Sequence, residues 1–300
     1  MHCKLRYLNL CSWQELFNQA HLSFSSVSLQ RIKNKMSIVK SALIKLSGNR
    51  FVQSLLEKNV LTSQDLMGIG SGGGVLSSGE QAIFHILKQR LNPPYCIFDV
   101  GSNKGQFLQL ILKNITVDDL SVHCFEPGCQ TFKSLVEYFR NDKRIKLNNF
   151  GVGKEKGEAV LHYDCVGSGL ASLTKRKLDH FGIDFSKAEK VEINTIDNYC
   201  LENVINHIHL LKIDIEGHEL DALAGAKRMF GAKSIDIVAF EFGGCNIDTR
   251  TFFQDFWYFF SEINFKIFRI TPSGYLYPIK LYKEIYEQFR TTNFIAVLNS

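Results

Sequence analysis

The sequence predicts an α/β fold, a mostly parallel β-sheet with helices on both faces, preceded by an N-terminal helical extension. Three observations favour this class. The chain has 300 residues, which is enough for one core domain of about 200 residues and an appendage. Hydrophobic residues make up 45% of the chain, so a sizeable core can be buried. From residue 95 onward, short apolar runs alternate with helical segments, as in successive βαβ units.

The composition excludes several other classes of protein. No stretch approaches the ~20 apolar residues of a transmembrane helix. None of the eight cysteines forms a pair with a two-residue gap, so we expect reduced thiols in the cytoplasm and no zinc knuckle or disulfide scaffold. Residues 1–90 contain 11 Lys/Arg and 4 Asp/Glu, whereas residues 91–300 contain 24 and 26. Because this larger part is nearly neutral, no nucleic-acid partner is expected.

Residues 1–75 are predicted to form the extension, basic helices followed by a glycine-rich connector. Apolar residues recur at spacings of three and four, and Gly48-Asn49 ends that helix. A second helix is expected over Phe51–Val60, and Gly68–Gly74 is a flexible connector that could cover a site. The basic face is expected to be solvated, with an acidic partner or a membrane surface as alternatives. The apolar stripe consists of Leu29, Ile32, Met36, Val39, Leu43 and Leu46.

Residues 76–300 are predicted to form the sheet domain. Strands are expected where apolar residues run together, and helices where they recur every three or four positions. The expected strands are Cys96–Val100, Val122–Phe125, Ile145–Leu147, Leu210–Ile215, Ile235–Phe240, Phe265–Ile270 and Phe294–Leu298. The last two are closing strands that a turn at Ser273-Gly274 could make antiparallel. The expected helices are Gly79–Leu91, Gln106–Lys113, Cys129–Arg140, Glu219–Met229 and Arg250–Ile263.

The first motif is Asp-x-Gly-x-Asn-x-Gly, which runs from Asp99 at the end of a buried strand into a helix. Gly101 and Gly105 permit a tight turn and a close approach of backbone to a ligand, and the helix start offers free N–H groups. Asp99 would repel a phosphate but suits a ligand that carries an amine. The alternative is a purely structural turn.

The second motif is Glu126, which ends the next strand and is followed by Pro127. An acid one βα unit after the first motif can accept hydrogen bonds from both ribose hydroxyls of a nucleoside. Pro127 stops the strand and suits the first turn of a helix. We therefore expect Glu126 and the first motif to bind one nucleoside ligand.

The third motif spans Leu211–Glu219, where charged residues alternate with apolar ones. Period-two alternation places Lys212, Asp214 and Glu216 on one side of a strand. Charged groups are costly to bury unless they are paired, so they are expected to line a crevice. His218 starts the next helix, and Glu241 ends another strand at the same edge. The alternative is an ion-pair network that fixes the turn.

Together with Ser78-Gly79-Glu80 and Thr195-Ile196-Asp197, these motifs resemble the FkbM-type family of S-adenosylmethionine-dependent methyltransferases. The resemblance covers roughly residues 76–245, and the Lys-x-Asp-x-Glu-Gly-x-Glu run over 212–219 is its most specific part. It implies the Rossmann-like, seven-stranded class I methyltransferase fold with S-adenosylmethionine as cofactor. It also implies, commonly, O-methylation of a sugar, a glycan or another hydroxylated metabolite.

The resemblance further implies roles for individual residues. Asn149–Val152 falls where such proteins pass the adenine ring, and a core role for Phe150 is the alternative. The residues expected at the cofactor are Asp99, Gly101, Ser102, Asn103, Gly105, Glu126, Phe150 and Gly151. The residues expected at the acceptor are Asp214, Glu216, His218 and Glu241, with Glu219 completing the late signature. No metal is predicted, although the carboxylates at 214, 216 and 241 could hold a divalent cation.

The predicted function is therefore transfer of a methyl group to a small-molecule or glycan hydroxyl. The main alternative is a module of the same fold that binds the cofactor without turnover. A nicotinamide dehydrogenase is disfavoured because the third glycine of its fingerprint is missing. Asn92-Pro93-Pro94-Tyr95 resembles a signature of amino-group methyltransferases, but it directly precedes the first strand, so it is interpreted as a helix stop.

Overall fold

The computed structural model describes residues 40–41, 44–74 and 77–299. The predicted apolar stripe from Leu29 to Leu43 lies outside the described residues. The chain divides into two units, Met1–Thr62 and Ser63–Ser300, so the glycine-rich connector belongs to the second unit. Helix α1 (Arg50–Met67) includes the helix predicted over Phe51–Val60 and continues to the start of the connector.

The remaining helices are interspersed with strands and include two, at residues 196–202 and 245–249, that the sequence analysis did not identify. They are α2 (Gln81–Arg90), α3 (Gln106–Asn114), α4 (Cys129–Phe139), α5 (Ile196–Glu202), α6 (Glu219–Ala224), α7 (Lys227–Gly231), α8 (Cys245–Thr249) and α9 (Phe253–Glu262). The helix predicted over 219–229 is two short helices that meet at Gly225. A Cβ at Gly225 would lie 2.2 Å from the carbonyl oxygen of Gly153, so the chain bends where another loop passes close by.

All seven predicted strands are present, together with four that the sequence analysis did not identify. The strands are β1 (Tyr95–Val100), β2 (Leu120–Phe125), β3 (Ile145–Asn148), β4 (Gly151–Val152), β5 (Gly157–Tyr163), β6 (Lys187–Asn194), β7 (Ile208–Ile213), β8 (Ile235–Phe242), β9 (Phe265–Ile270), β10 (Leu276–Ile279) and β11 (Thr292–Leu298). The strand predicted over Leu210–Ile215 ends at Ile213, so the last charged residues of the third motif lie in a turn.

The main sheet has eight strands in the order β10-β9-β11-β8-β7-β1-β2-β3. Five neighbouring strands, β8, β7, β1, β2 and β3, are parallel. Strand β11 runs antiparallel to both β8 and β9. The antiparallel closing pair is thus confirmed. The turn at Ser273-Gly274 joins β9 to β10, which adds an eighth, antiparallel strand to the seven expected.

A second sheet of three strands has the order β4-β6-β5. Only Leu161 in β5 is buried, and most residues at the start of β6 are exposed. Because these strands are solvated on much of their surface, their sequences lack the apolar runs that identify a buried strand. The loop between them, residues 164–186, contributes to the functional site below.

The core lies on both faces of the main sheet, which confirms the predicted α/β architecture. On one face, Phe98, Leu211 and Phe240 pack with α5, α6, α7 and α9. On the other face, Ile97 and Leu210 pack with α2, α3 and α4. Among the described residues, no helix has both the length and the apolar character needed to cross a bilayer.

Candidate active site

A cavity of about 420 Å³ opens at the carboxyl ends of β1, β2, β7 and β8. Ligands of open α/β sheets bind at this edge. The cavity brings together nine of the twelve site residues expected from the sequence, namely Gly101, Ser102, Asn103, Glu126, Gly151, Asp214, Glu216, His218 and Glu241. Asp99, Gly105 and Phe150 do not line it.

Gly101 brings the tips of β1 and β7 together. Its φ is 84°, and a Cβ there would lie 1.9 Å from the carbonyl oxygen of Asp214. A side chain at this position would therefore be excluded by both backbone conformation and space. The amides of Gly101 and Ser102 both donate to the carbonyl oxygen of Phe125, at 3.0 Å, which ties the turn to β2.

Gly105, which the sequence predicts at the cofactor, does not line the cavity and lies against α4. Its φ is 85°, and a Cβ would lie 2.5 Å from the ring of Phe139 and 3.0 Å from Leu135. The glycine thus lets the start of α3 approach α4 closely. The motif needs this glycine for helix packing, whereas Gly101, Ser102 and Asn103 line the cavity.

Asp99 lies beneath the cavity, so the expected direct contact with an amine is not supported by its position. It is fully buried, and its Oδ1 lies 3.8 Å from Nζ of Lys212, its register partner on β7. Neither carboxylate oxygen has a hydrogen-bond partner among the described residues. Burial raises the pKa of Asp99. Burial alone would lower the pKa of Lys212, but Asp214, Asp99 and Glu80 together raise it.

Glu126 lines the cavity at the end of β2, where the sequence places a ribose-binding acid. Its Oε2 accepts a hydrogen bond from the amide of Asn103 at 3.0 Å, and its Oε1 accepts one from the amide of Gly128 at 2.8 Å. Burial raises the pKa of Glu126 to about 7, despite these two amides. A half-ionised carboxyl beside the glycine turn is suited to a ligand with hydroxyl groups.

Phe150 packs into the core, which was the alternative for this residue. Its ring centroid lies 5.6 Å from that of Phe125 and 5.9 Å from that of Tyr199. Gly151 does line the cavity, and a Cβ there would lie 2.8 Å from the side chain of Ile193. The backbone at Gly151 therefore forms part of the cavity wall, and the ring of Phe150 packs against the core.

The third motif forms a turn of charged residues at the end of β7. Glu216 has a φ of 54°, and its carboxylate forms an ion pair with Arg176, whose side chain is only 7% exposed. Asp214 pairs with Lys212 at 3.0 Å between Oδ2 and Nζ. Burial and the charge of Asp214 raise the pKa of Glu216 to about 8. The motif is thus both an ion-pair network and a cavity wall.

Glu219 holds this turn in shape from beneath. It is fully buried, and its Oε1 accepts hydrogen bonds from the amides of Ile215 at 3.1 Å and Gly217 at 3.0 Å. Of the three acidic residues in the 212–219 run, Glu219 therefore accepts hydrogen bonds from the backbone, whereas Asp214 and Glu216 line the cavity.

Asp214, Glu216 and Glu241 form one of two groups among the described residues that could hold a metal ion, because one carboxylate oxygen from each lies within 4.8 Å of the others. The other group, His207, His209 and Asp236, lies outside the cavity. Burial and the neighbouring carboxylates raise the pKa of Glu241 well above its usual value. Lys212 and Arg176 form ion pairs with Asp214 and Glu216, so a cation bound here would compete with these two pairs.

Two further segments line the cavity. Gly72–Gly74 forms one wall, and the amides of Gly70 and Gly72 both donate to the carbonyl oxygen of Thr291, at 3.0 Å. A Cβ at Gly72 would lie 2.4 Å from the Thr291 side chain. Residues 168–173, in the loop between β5 and β6, form another wall and lead to Arg176. The sequence indicates the glycine run as a connector that could cover a site, whereas no sequence signal identifies residues 168–173.

Comparisons with known proteins were made for sequence and structure. The chain is 26% identical over 148 residues to 2-O-methyltransferase NoeI of Sinorhizobium fredii (strain NBRC 101917 / NGR234). This match covers 45% of the chain and 58% of that protein, so the chain spans little more than half the length of this curated relative.

Among solved structures, methyltransferase FkbM from Methylobacillus flagellatus KT is similar with a TM-score of 0.42 and 16% identity, covering 72% of this chain and 47% of that one. The structure of a fibrillarin/Nop5p complex is similar with a TM-score of 0.37 and 15% identity, and the match covers 73% of this chain and 81% of that one. The family model described as the methyltransferase FkbM domain matches residues 99–267, more than half of the chain. The match begins at the aspartate before the glycine turn and extends into β9, so the chain belongs to the FkbM methyltransferase domain family.

Proposed function

We propose that this protein uses S-adenosylmethionine to methylate a hydroxyl group of a sugar, a glycan or another hydroxylated metabolite. The observation that carries the proposal is one cavity in which the glycine turn and Glu126 adjoin Asp214, Glu216 and His218. The residues that we expect to bind the nucleoside and those that we expect to act as acids or bases therefore line the same cavity. Family membership and the similarity to 2-O-methyltransferase NoeI support the same reaction class.

The residues at the first two motifs fit the cofactor. The turn at Gly101–Asn103 offers backbone close to the cavity, and Glu126 offers carboxylate oxygens to the ribose hydroxyls. Asp99 and Lys212 supply charge beneath the turn. When bound, the cofactor supplies an activated methyl group on a sulfonium centre.

The residues of the third motif fit a neutral acceptor. The described cavity-lining residues include two permanently charged cations, Arg176 and Lys212, and both are paired with carboxylates. An anionic acceptor would therefore meet carboxylates without a free cation, whereas a polyol can donate hydrogen bonds to them. Holding an acceptor oxygen on the methyl axis can lower the barrier by about 7–11 kcal/mol.

Calorimetric titration of the full chain with S-adenosylmethionine and with S-adenosylhomocysteine tests the cofactor assignment. We expect saturable binding of both, and Glu126→Ala should weaken it at least about tenfold, the loss of one to two good hydrogen bonds. Glu262→Ala is the matched control, because Glu262 is exposed at the end of α9 and does not line the cavity. Absence of binding to the wild-type protein would refute the proposal.

Turnover is tested by release of S-adenosylhomocysteine in the presence of methyl glycosides, oligosaccharides and small polyols, with mass spectrometry of the products. The expected product gains one methyl group on oxygen. Cofactor binding without methylation of any acceptor would instead favour the alternative function, a binding module of the same fold.

A further inference from the structure

His218 has a hydrogen-bond partner at each ring nitrogen. Its Nδ1 lies 2.8 Å from Oδ2 of Asp221, and its Nε2 lies 3.0 Å from Oγ1 of Thr174. Asp221 is in the first turn of α6, three residues beyond His218, so a helical turn sets its position. Thr174 is in the loop between β5 and β6, directly after the residues that line the cavity.

The chemistry of these partners determines where the proton of a neutral His218 lies. The hydrogen bond from His218 lowers the pKa of Asp221, so its carboxylate is ionised at neutral pH. An ionised carboxylate only accepts hydrogen bonds, and Nδ1 must therefore carry the proton. Nε2 is left with its lone pair, which accepts the hydrogen bond from the Thr174 hydroxyl.

We propose that Asp221 is a positioning residue that prepares His218 as the general base, and that the Thr174 hydroxyl marks where the acceptor hydroxyl binds Nε2. This rests on the proposed function. The side chain of His218 is 18% exposed and lines the cavity that holds Glu216 and the glycine turn. The Thr174 hydroxyl already donates a hydrogen bond to Nε2. An acceptor hydroxyl that takes its place can therefore bind Nε2 without a change in the orientation of the imidazole ring.

The proposed step is a displacement at the methyl carbon. The acceptor oxygen forms a bond to the methyl carbon while the carbon–sulfur bond breaks, and the sulfur keeps the electron pair of the broken bond. The acceptor proton moves to Nε2 of His218. The carboxylate of Asp221 stabilises the positive charge that the ring gains, and the ring later returns the proton to water.

The first test determines the tautomer of His218 without any acceptor. Long-range proton–nitrogen NMR on the full chain with ¹⁵N-labelled histidine, recorded at about pH 8 where an ordinary histidine is neutral, reports which nitrogen carries hydrogen. His218→Gln identifies the signals. We expect the Nδ1–H form in the wild type and a shift towards Nε2–H in Asp221→Ala. An Nε2–H wild type, or no shift in the variant, would overturn the inference.

The second test separates positioning from binding in turnover with the methyl glycoside and polyol panel. Asp221→Ala should lower kcat by about 10²-fold or more, within the range for a general base, while KM and the cofactor Kd change less than about twofold. Asp221→Glu should recover part of kcat. The double variant Asp221→Ala/His218→Gln should lose no more than His218→Gln alone. Equal kcat in Asp221→Ala and the wild type would overturn the inference.

Two further variants act as controls. Asp236 also bonds a histidine, with its Oδ2 2.6 Å from Nε2 of His207, but it lies at the start of β8 outside the cavity. Asp236→Ala should leave kcat unchanged. Thr174→Val should keep kcat within about threefold of the wild-type value. A loss of kcat as large as that of Asp221→Ala would show that the Thr174 hydroxyl does more than occupy the position of the acceptor hydroxyl. A wild type that methylates nothing on the panel would count against the proposed function, while the NMR result still decides the role of Asp221.

Discussion

Lowering the pH through 7 should weaken nucleoside binding through the protonation of Glu126. This carboxylate lines the cavity and already accepts hydrogen bonds from two backbone amides, those of Asn103 and Gly128. The ionised form has more free lone pairs for the two ribose hydroxyls than the protonated form, so binding should favour the ionised form. Burial raises the pKa of Glu126 to about 7, so full affinity is present above this pH and is lost as the pH falls through it.

The size of the effect follows from this pKa. At about pH 8 the carboxyl is roughly nine-tenths ionised, and at about pH 6 it is roughly one-tenth ionised. If only the ionised form binds, Kd rises about tenfold between these values, which corresponds to about 1.4 kcal/mol. At about pH 7, binding should release roughly half a proton, because it selects the ionised form.

The assay is calorimetry with 5′-methylthioadenosine, which lacks the amino-acid part of the cofactor. This choice matters because an α-amino group itself titrates near about pH 8. Buffers with different ionisation enthalpies give the number of protons released. Glu126→Gln keeps the size of the side chain and should bind more weakly with no dependence on pH in this range. A wild-type Kd that is flat with pH, or a slope that persists in Glu126→Gln, would refute the reasoning.

Three further predictions concern the walls of the cavity and the turn at the end of β7. Gly72→Ala should destabilise the protein by about 1–3 kcal/mol through overpacking, because its Cβ would lie 2.4 Å from a side-chain carbon, whereas Gly73→Ala has open space and should be near neutral in thermal unfolding. Glu219→Ala leaves two buried amides unpaired and should cost about 1–3 kcal/mol in urea unfolding; Glu219→Gln retains the accepting oxygen and should cost clearly less. Arg176→Met leaves the Glu216 carboxylate buried without its cation, so it should cost about 3–5 kcal/mol above about pH 8. Because the pKa of Glu216 is raised to about 8, that loss should shrink at lower pH, and a loss independent of pH would contradict the assignment.

Local patterns in the sequence were sufficient to locate most of the site. The Asp99–Gly105 turn, Glu126 and the 212–219 run each follow a buried strand, and parallel strands present their carboxyl ends at one edge. Their convergence on one cavity therefore follows from strand assignment alone. Gly105 and Phe150, which the sequence analysis assigns to the cofactor, do not line the cavity: Gly105 lets two helices pack closely, and Phe150 packs against the core.

The parts that escaped prediction depend on contacts between distant segments. Arg176 meets Glu216 across 40 residues, and Gly72 meets Thr291 from the opposite end of the domain. The second sheet also escaped, because its strands are largely solvated and carry no apolar run. Neither periodicity nor spacing encodes which loop folds over which strand.

Spacing alone predicted seven of the eleven strands and the sheet edge at which the acids gather, because hydrophobic periodicity and strand-end residues are local properties of a chain. Tertiary structure alone decided the ionisation and the partners of those acids. Lys212 and Arg176 sit against particular carboxylates, and Asp221 directs the proton of His218, only once the loops are packed. Charge energetics depend on burial and on separations of a few ångströms, and both exist only in the folded chain.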